Sequence, residues 1–585
     1  MISSPRPSTP LRSTAVLIVL LLAPLWFAGI FGRGLWTPDE PREADIAWRM
    51  SRQSDRTLPQ LAGRPFLEKP PLTYWMSAAA LGAWGDSAAA ARAPNALYAA
   101  TAATAVGALA LGAGAELAAA VIAALVAMSA LTAFRVSIWL APDSCLLAGC
   151  ALALLGAWHG YRAAPGAHKA AGYALMHFGA AIGFMAKSAP GWLVPALALL
   201  TLIVSERRWS ELRRWELYVP FALQALLIGP WLLAVAREAH GAEALRALFW
   251  HNIFGRFTRV SAPAELDYTR GHANFPGKYL LELPLYLLPW TLVAVAALVK
   301  AFSRAREAGP AGTAWRFALS ASLPFLALLS LAATARDVYA APALLGFGLL
   351  CGLWTQDAQR TSSHLDRLML RWTRWLAGLL AWALAGSLLI MAAARAAPAF
   401  TCIAAAIAAV AAAHIALLRA ARAQRLGAVQ HSLGWTYAGY AASLVFVAAA
   451  VLPVIDRWQD LPALSRRIHA DTARDSLALL DPDETTIAML DRGLETPVTL
   501  LVSDPDPRRA VSAWLAAHGG GARVLVLLPG HAPGPLTRWL ARLHPIPAPG
   551  DGVAGRLIAS GTAALIERYE LPQGRRYALL GPPHS

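Results

Sequence analysis

The sequence has 585 residues, of which 57% are hydrophobic and only 15% are charged, and its mean hydropathy is +0.46. Soluble domains carry about 25% charged residues, so this composition excludes a protein that is soluble throughout. The net charge of +16 does not indicate a nucleic-acid partner, because most basic residues lie in short clusters between apolar runs and form no patch interleaved with aromatic side chains.

Apolar runs long enough to cross a membrane recur from Thr14 to Pro453 and then stop. We predict about thirteen spans, at residues 13–31, 88–112, 116–133, 138–160, 171–186, 188–204, 216–236, 279–299, 315–334, 338–353, 373–395, 398–417 and 433–454. With a cytoplasmic N-terminus, the connections on the inner side all carry Arg or Lys, as the positive-inside rule requires. We therefore predict a membrane domain over residues 1–454 with two long outer loops, 32–87 and 237–278, and an outer C-terminal domain over residues 455–585.

The first outer loop contains two predicted helices. The stretch PREADIAWRMSR, residues 41–52, is amphipathic, with Ile46, Ala47 and Met50 on one side. Such a helix can lie flat at the membrane surface. The segment EKPPLTYW, residues 68–75, begins the second helix, because proline fits the first helical turn.

The C-terminal segment has the pattern of a small α/β domain. Short apolar runs at residues 486–490, 498–502 and 522–528 predict strands. The stretch RRAVSAWLAAH, residues 508–518, predicts a helix between the second and third of them.

Unusual polar residues fall on the outer side of this topology. They are Asp39, Glu40, Arg42, Glu68, Lys69, Asp143, Lys187, His251, Arg256, Arg259, Arg336, Asp337 and Tyr339. Taken singly, an arginine at the end of a span can be an interfacial anchor, and a lone histidine is more often structural than a ligand. Because chance would scatter such residues over both faces, their convergence predicts a functional site that faces a shared cavity.

The residue types at this site suit transfer of a group from a lipid phosphate. No nucleotide pool exists outside the membrane, so we expect no nucleotide cofactor and a lipid-borne activated donor. A phosphate leaving group needs positive charge where negative charge develops, and Lys69, Lys187, Arg256, Arg336 and the Tyr339 hydroxyl fit that role. A carboxylate can then accept a proton from the acceptor or stabilise a cationic sugar. These features predict glycosyl transfer from a polyprenyl-phosphate sugar.

Several motifs resemble those of the polyprenyl-phosphate-sugar-dependent transferases typified by lipid A aminoarabinose transferase. They are DEPREADIAWRM (39–50), FLEKPPLTYW (66–75), LAPDS (140–144), HNIFGRF (251–257) and LELPLYLLPW (281–290). The resemblance covers roughly residues 35 to 345. It implies a polytopic α-helical membrane glycosyltransferase of the GT-C type, related to protein mannosyltransferases, that inverts the anomeric centre.

The resemblance also implies residue roles. Asp39 would be the main catalytic carboxylate, and Asp143, which would help to shape the same cavity, is the second catalytic candidate. The donor phosphate is held by Lys69, Arg256 and Tyr339, to which the charge argument adds Lys187 and Arg336. Glu68 and His251 coordinate a divalent metal such as zinc, and Glu40 and Arg42 shape the cavity. The sequence departs from the family at Pro41, Glu43, Ser188 and Arg336, which bears on the sugar and the acceptor more than on the chemistry.

The resemblance leads us to expect an enzyme of a bacterial inner membrane with its site facing the periplasm. The expected donor is undecaprenyl phosphate carrying an amino sugar such as 4-amino-4-deoxy-L-arabinose. The expected acceptor is the phosphate of lipid A, and the transfer would be a lipopolysaccharide modification of the kind associated with polymyxin resistance. The expected state of the protein is a monomer in membrane lipid. One alternative is an O-glycosyltransferase acting on a protein or glycan. Another is a transporter or flippase for a lipid-linked sugar, which would place its ionisable residues near the midplane.

Overall fold

The protein is mostly helical, with a sheet domain at its C-terminal end. The structure, a computed structural model, describes residues 10–66, 68–239, 241–254, 274–333, 336–472, 476–492, 498–502, 506–532, 539 and 550–583. The side chains of residues 10, 11, 251–254 and 471 lie outside this description.

The membrane domain and its loops are built from twenty α-helices within the described residues. In chain order they are α1 (Pro10–Phe31), α2 (Glu40–Arg52), α3 (Leu72–Trp84), α4 (Ala88–Arg92), α5 (Pro94–Gly112), α6 (Leu117–Ser129), α7 (Leu131–Ile138), α8 (Pro142–Arg162), α9 (Ala167–Lys187), α10 (Pro190–Glu206), α11 (Trp215–Tyr218), α12 (Ala222–Arg237), α13 (Gly241–Arg246), α14 (Lys278–Tyr286), α15 (Thr291–Arg304), α16 (Gly309–Leu331), α17 (Ala341–Arg360), α18 (His364–Ala393), α19 (Ala399–Arg425) and α20 (Val429–Trp458). A π-helical stretch, Ala247–Phe254, follows α13. Short 3₁₀ segments are Trp209–Arg213, Val219–Phe221 and Asp337–Ala340.

The described helices make this a multi-pass membrane protein, but they do not confirm the predicted count of thirteen spans. Nine helical segments are long and apolar enough to cross a membrane, and α6 with α7 forms a tenth candidate bent by 70°. The other three predicted spans fall on α9, on α10 and on the pair α14–α15. Helix α10 has only 17 residues. The predicted span at 279–299 is not one continuous helix, because the helix is interrupted between Tyr286 and Thr291, where Pro289 lies.

Helices α8 and α9 pack with their backbones in contact, because small residues line both surfaces. A Cβ atom added to Gly156 would lie 2.2 Å from the backbone nitrogen of Met176, and one added to Gly172 would lie 2.3 Å from that of Gly160. Such close approach is typical of membrane helices that associate through glycine. The contact sets the outer end of α8, which carries Asp143, beside the outer end of α9, which carries Lys187.

The first outer loop folds into α2 and α3, joined by a short antiparallel pair of strands, β1 (Gln60–Leu61) and β2 (Arg64–Pro65). The amphipathic helix and the helix that follows the prolines are both present. The first of them, which is expected to lie flat at the membrane surface, is also covered by protein, because α2 is buried from Glu40 to Met50. Its apolar side packs against the C-terminal domain through Ile46 and Met50, and Ala47 packs against Leu81 on another side.

The C-terminal domain contains a five-stranded mixed sheet with the order β4-β3-β5-β7-β6. Its strands are β3 (Leu477–Leu480), β4 (Thr499–Leu501), β5 (Arg523–Leu527), β6 (Ala564–Glu570) and β7 (Arg576–Gly581). Strand β3 pairs parallel with β4 and β5, and β7 pairs antiparallel with β5 and β6. Its helices are α21 (Leu461–Asp471), α22 (Glu484–Asp491), α23 (Pro507–His518) and α24 (Gly552–Ala559).

Most of the predicted pattern of this domain is confirmed, with one error. The predicted strands at 498–502 and 522–528 and the helix at 508–518 are present. The predicted strand at 486–490 is wrong, because these residues lie in α22. The Asp483 carboxylate caps that helix by accepting a hydrogen bond from the backbone nitrogen of Thr486 at 3.0 Å. The buried strand of this region is instead the fully apolar run Leu477–Leu480.

Candidate active site

Seven of the predicted residues line one crevice of about 500 Å³, measured with its opening to solvent. They are Asp39, Glu68, Lys69, Asp143, Lys187, Arg336 and Tyr339. Residues that are distant in the sequence therefore meet, as the topology predicts.

The side chains that line the crevice come from residues at or next to the ends of helices. Asp39 immediately precedes α2, and Lys69 precedes the two prolines that lead into α3. Asp143 lies in the first turn of α8, and Lys187 is the last residue of α9. Arg336 precedes the 3₁₀ segment that contains Tyr339, between α16 and α17.

The Asp39 carboxylate is bound to two guanidinium groups. Its Oδ2 lies 2.9 Å from Nη2 of Arg336, and its Oδ1 lies 3.4 Å from Nη2 of Arg42. Burial alone would raise the pKa of Asp39, but the positive charges of Arg42, Arg336 and Lys69 outweigh it and hold that pKa below its ordinary value. Asp39 is therefore ionised at neutral pH and able to accept a proton or to stabilise positive charge.

The Lys69 ammonium lies between two carboxylates. Its Nζ is 3.1 Å from Oε1 of Glu43 and 3.2 Å from Oε2 of Glu68. Burial lowers the pKa of Lys69, but the charges of the two carboxylates raise it by more. The pKa of Lys69 therefore lies above its ordinary value, and the group stays charged. An ammonium has three N–H donors, so the geometry leaves Lys69 capacity for a further acceptor such as a phosphate oxygen.

A second cation lies on the other side of the crevice. Nζ of Lys187 is 2.5 Å from Oδ1 of Asp143, and it lies 4.5 Å from the centre of the Tyr339 ring. The aromatic face and the carboxylate together fix the ammonium at one place. Asp143 thereby acts on the position of Lys187, whereas Asp39 faces Arg336.

Glu40 is fully buried and does not line the crevice. Its buried carboxylate pairs with Arg33 at 2.5 and 2.8 Å and accepts backbone hydrogen bonds from Trp36 and Leu140, each at 2.9 Å. These bonds tie the start of α2 to the turn that precedes α8. Glu40 thus positions the segments that carry Asp39 and Asp143.

Arg42 does not line the crevice either, and it lies within a cluster of four carboxylates. Its Nη2 is 2.6 Å from Oε1 of Glu43 and 3.9 Å from Oε2 of Glu68, besides the contact to Asp39. Its Nη1 pairs with the Glu484 carboxylate of the C-terminal domain. Although burial lowers the pKa of Arg42, these carboxylates raise it well above its ordinary value.

Three predicted residues lie partly or wholly outside the described residues. Arg256 and Arg259 are outside them, and for His251 the described part is its backbone in the π-helical stretch. Among the described residues no three of His, Cys, Asp and Glu are grouped as a metal site would require. The Glu68 carboxylate has the cations Lys69 and Arg42 as neighbours. The residues described do not by themselves fit a metal ion.

Sequence reasoning missed two acidic residues of this cluster. Glu43 lies one helical turn after Asp39, and this i, i+4 spacing is a signal that would place the two carboxylates together. Glu484 lies 442 residues from its partner Arg42, and no local pattern in the sequence connects them. Arg135, which lines the crevice and forms an exposed pair with the predicted outer residue Asp337, was also missed.

Comparison with known proteins supports the predicted resemblance. Residues 13–245 match the model of the dolichyl-phosphate-mannose-protein mannosyltransferase family. An undecaprenyl phosphate-alpha-4-amino-4-deoxy-L-arabinose arabinosyl transferase of Edwardsiella ictaluri is 31% identical over 288 residues, which cover 48% of this chain and 49% of the relative. A Pseudomonas aeruginosa protein of the same name is 29% identical over 342 residues, covering 58% of this chain and 59% of the relative. The aligned part is thus about half to three fifths of each relative's length.

Solved structures extend the likeness to nearly the whole chain at the level of the fold. ArnT from Cupriavidus metallidurans bound to undecaprenyl phosphate superposes with a TM-score of 0.69 at 16% identity, covering 98% of both chains. The same protein in the apo state gives a TM-score of 0.68 at 17% identity, covering 97% of this chain and 98% of that one.

The fold is that of a polytopic α-helical membrane protein with a C-terminal sheet domain, and it is shared with ArnT from Cupriavidus metallidurans. In sequence, the chain is similar to undecaprenyl phosphate-alpha-4-amino-4-deoxy-L-arabinose arabinosyl transferases, in agreement with the resemblance carried by the motifs of residues 39–75.

Proposed function

We propose that this protein is a glycosyltransferase that moves an amino sugar, such as 4-amino-4-deoxy-L-arabinose, from undecaprenyl phosphate to the phosphate of lipid A. The observation that carries the proposal is the crevice itself, where an ionised carboxylate, Asp39, lies among the cations Lys69, Lys187 and Arg336. The names of the relatives support the donor and the sugar.

The proposed reaction exchanges one bond at the anomeric carbon for another. The bond between that carbon and the donor phosphate oxygen breaks, and its electron pair leaves with undecaprenyl phosphate. A bond from the acceptor oxygen to the opposite face of the same carbon forms, which inverts its configuration. Lys69, Lys187 and Arg336, with Arg256 and the Tyr339 hydroxyl, stabilise the charge that develops on the leaving phosphate.

The role of Asp39 depends on the acceptor. A lipid A phosphate is anionic at neutral pH, so Asp39 then orients the acceptor or stabilises positive charge on the sugar, and no proton is transferred. A hydroxyl acceptor must lose its proton, and Asp39 is the base that accepts it. In both cases the carboxylate has to be ionised, which agrees with its lowered pKa.

The first test replaces Asp39 by asparagine. We expect Asp39→Asn to lower sugar transfer by about 100-fold or more, because the variant keeps the shape of the side chain and loses its charge. The measurement is the mass spectrum of lipid A from cells with the gene intact, deleted, restored, or restored as the variant. Loss of an amino-sugar mass increment on deletion, without rescue by the variant, is the expected result.

A matched control is Asp55→Asn in the same loop, because the exposed Asp55 bonds only a neighbouring backbone nitrogen within the described contacts. It should restore the increment fully. Wild-type transfer by a folded Asp39→Asn protein would contradict the role of Asp39. An unchanged lipid A spectrum on deletion, in cells that express the protein, would reject lipid A as the acceptor.

A second candidate function is transfer of the sugar to a protein or glycan hydroxyl. The match of residues 13–245 to a protein mannosyltransferase family favours it. It uses the same crevice and donor, with Asp39 as the base. Glycan analysis of envelope proteins from the same strains distinguishes the two.

The divalent metal predicted at Glu68 and His251 remains a proposal. If it is needed, prolonged chelation of the purified protein should abolish transfer, and added Zn²⁺ should restore it. Undiminished transfer by a preparation shown by elemental analysis to be metal-free would reject the metal. We further propose that the protein acts as a monomer in the bacterial inner membrane, with the crevice at the periplasmic face.

A further inference from the structure

Helix α22 of the C-terminal domain lies beside α2 of the first loop, and charged pairs join them at both ends. Glu484 pairs with Arg42, and Asp491 pairs with Arg49. Arg42 and Arg49 are two helical turns apart on α2, and Glu484 and Asp491 are separated by the same interval on α22. The two helices therefore run parallel and in register.

Apolar packing and a backbone contact complete this junction. Between the charged pairs, Ile46 of α2 and Ile487 of α22 belong to the same buried apolar cluster. The Thr485 hydroxyl donates a hydrogen bond to the carbonyl of Pro38 at 2.9 Å. The junction thus reaches the residue immediately before Asp39.

The junction also determines where Arg42 lies. Arg42 contacts two carboxylates of the crevice, Asp39 at 3.4 Å and Glu68 at 3.9 Å. Glu484 approaches the same guanidinium from the C-terminal domain, and its own side chain does not line the crevice. The negative charge of Glu484 attracts Arg42 from the C-terminal domain, while Asp39 and Glu68 attract it from the crevice. These opposing attractions fix the position of the guanidinium group.

We propose that Glu484 is a positioning residue for glycosyl transfer, which acts through Arg42 to hold Asp39 and Glu68 in place. On this view the C-terminal domain completes the active site and does not merely cover it. The inference rests on the proposed function for its catalytic readout, and on the junction alone for its structural one.

The test measures transfer kinetics of the purified full-length protein in lipid nanodiscs, with a polyprenyl-phosphate sugar as donor. We expect Glu484→Gln to lower kcat by about 10- to 100-fold, because a misplaced reacting group costs this much. The KM for the donor should change less than about 3-fold, because Glu484 pairs with Arg42 and, in the described contacts, with none of the cations Lys69, Lys187 and Arg336. Glu484→Asp, which keeps the charge, should recover part of the rate.

The matched control is Glu567→Gln in the same domain, which breaks the exposed pair with Arg467 far from the crevice. It should behave as wild type. Wild-type kcat in Glu484→Gln would overturn the proposal. A loss of activity that only follows the loss of folded protein, measured by thermal unfolding of the same samples, would also overturn it.

A second measurement keeps the two proposals separable. Hydrogen exchange of peptides that cover residues 36–44 should be faster in Glu484→Gln than in wild type and unchanged in Glu567→Gln. If wild-type protein transfers no sugar, the proposed function fails, and this exchange difference still supports Glu484 as the residue that orders the segment. Equal exchange in all three proteins would overturn the positioning role.

Discussion

Asp45 is a buried acid on α2, where this helix meets the C-terminal domain, and it follows the crevice residue Asp39 by six positions in the sequence. Asp45 is fully buried near Asp491 and Arg49, with its Oδ2 3.6 Å from Nε of Arg49. Neither oxygen of Asp45 has a hydrogen-bond donor among the described residues. Burial, and next the charge of Asp491, raise the pKa of Asp45 to about 8. The folded protein therefore holds a proton on Asp45 at neutral pH.

This proton makes stability depend on pH in a definite direction. The unfolded chain releases it near the ordinary value of 3.8, whereas the folded chain keeps it to about pH 8. Between these values the unfolded state binds fewer protons, so the free energy of unfolding falls as the pH rises through this window. Below it Asp45 is protonated in both states and imposes no penalty.

We therefore expect Asp45→Asn to stabilise the protein by about 1–3 kcal/mol at pH 8, because a neutral side chain avoids the cost of a buried charge. The gain should shrink toward zero as the pH falls to about 4. The measurement is thermal unfolding of detergent-purified protein at several pH values, with the exposed Asp55→Asn as the comparison variant. A gain that does not vary with pH would show that Asp45 titrates normally.

At the scale of elements, the contact between α8 and α9 holds two groups of the crevice together. Asp143 and Lys187 lie at adjacent ends of these helices, and their 2.5 Å pair depends on how closely the helices approach. The glycines of the interface allow that approach. A shift between the helices would separate the pair.

This packing predicts the effect of one added methyl group. Gly156→Ala should destabilise the protein by about 1–3 kcal/mol, because its Cβ would meet backbone atoms of α9 that cannot move alone. Thermal unfolding and transfer activity measure the effect on stability and on the site. Gly386→Ala is the matched control, since an added Cβ there meets nothing within 4 Å. Equal stability of the two variants would contradict the close contact.

Periodicity in the sequence predicts most elements, and the errors have physical causes. The apolar runs identify the membrane helices because a bilayer demands long uninterrupted hydrophobic segments. The run at 486–490 resembles a strand, yet the capping carboxylate of Asp483 starts a helix. The amphipathic pattern of α2 predicts a helix but does not reveal that protein covers both of its sides.

At the scale of the whole molecule, topology accounts for the part of the site that the sequence predicts. Alternation of spans places Asp39, Lys69, Asp143, Lys187 and Arg336 on one face, and they meet in one crevice. The sequence does not predict that Glu484 contacts Arg42 beside this crevice, because nothing local links residues 442 positions apart. Contacts between domains depend on docking, which is not encoded in a short motif.

The ion pairs of the crevice have a consequence for turnover. Lys69, Lys187 and Arg336 each have a carboxylate partner before any lipid binds. In the proposed reaction the product, a phosphate monoester, carries about one more negative charge than the diester donor, so cations alone would hold the product more tightly. The carboxylates of Glu43, Asp143 and Asp39 compete with the product phosphate for these cations, and they pair with the cations again when the product leaves. In the proposed reaction these carboxylates would favour release of undecaprenyl phosphate and limit inhibition by that product.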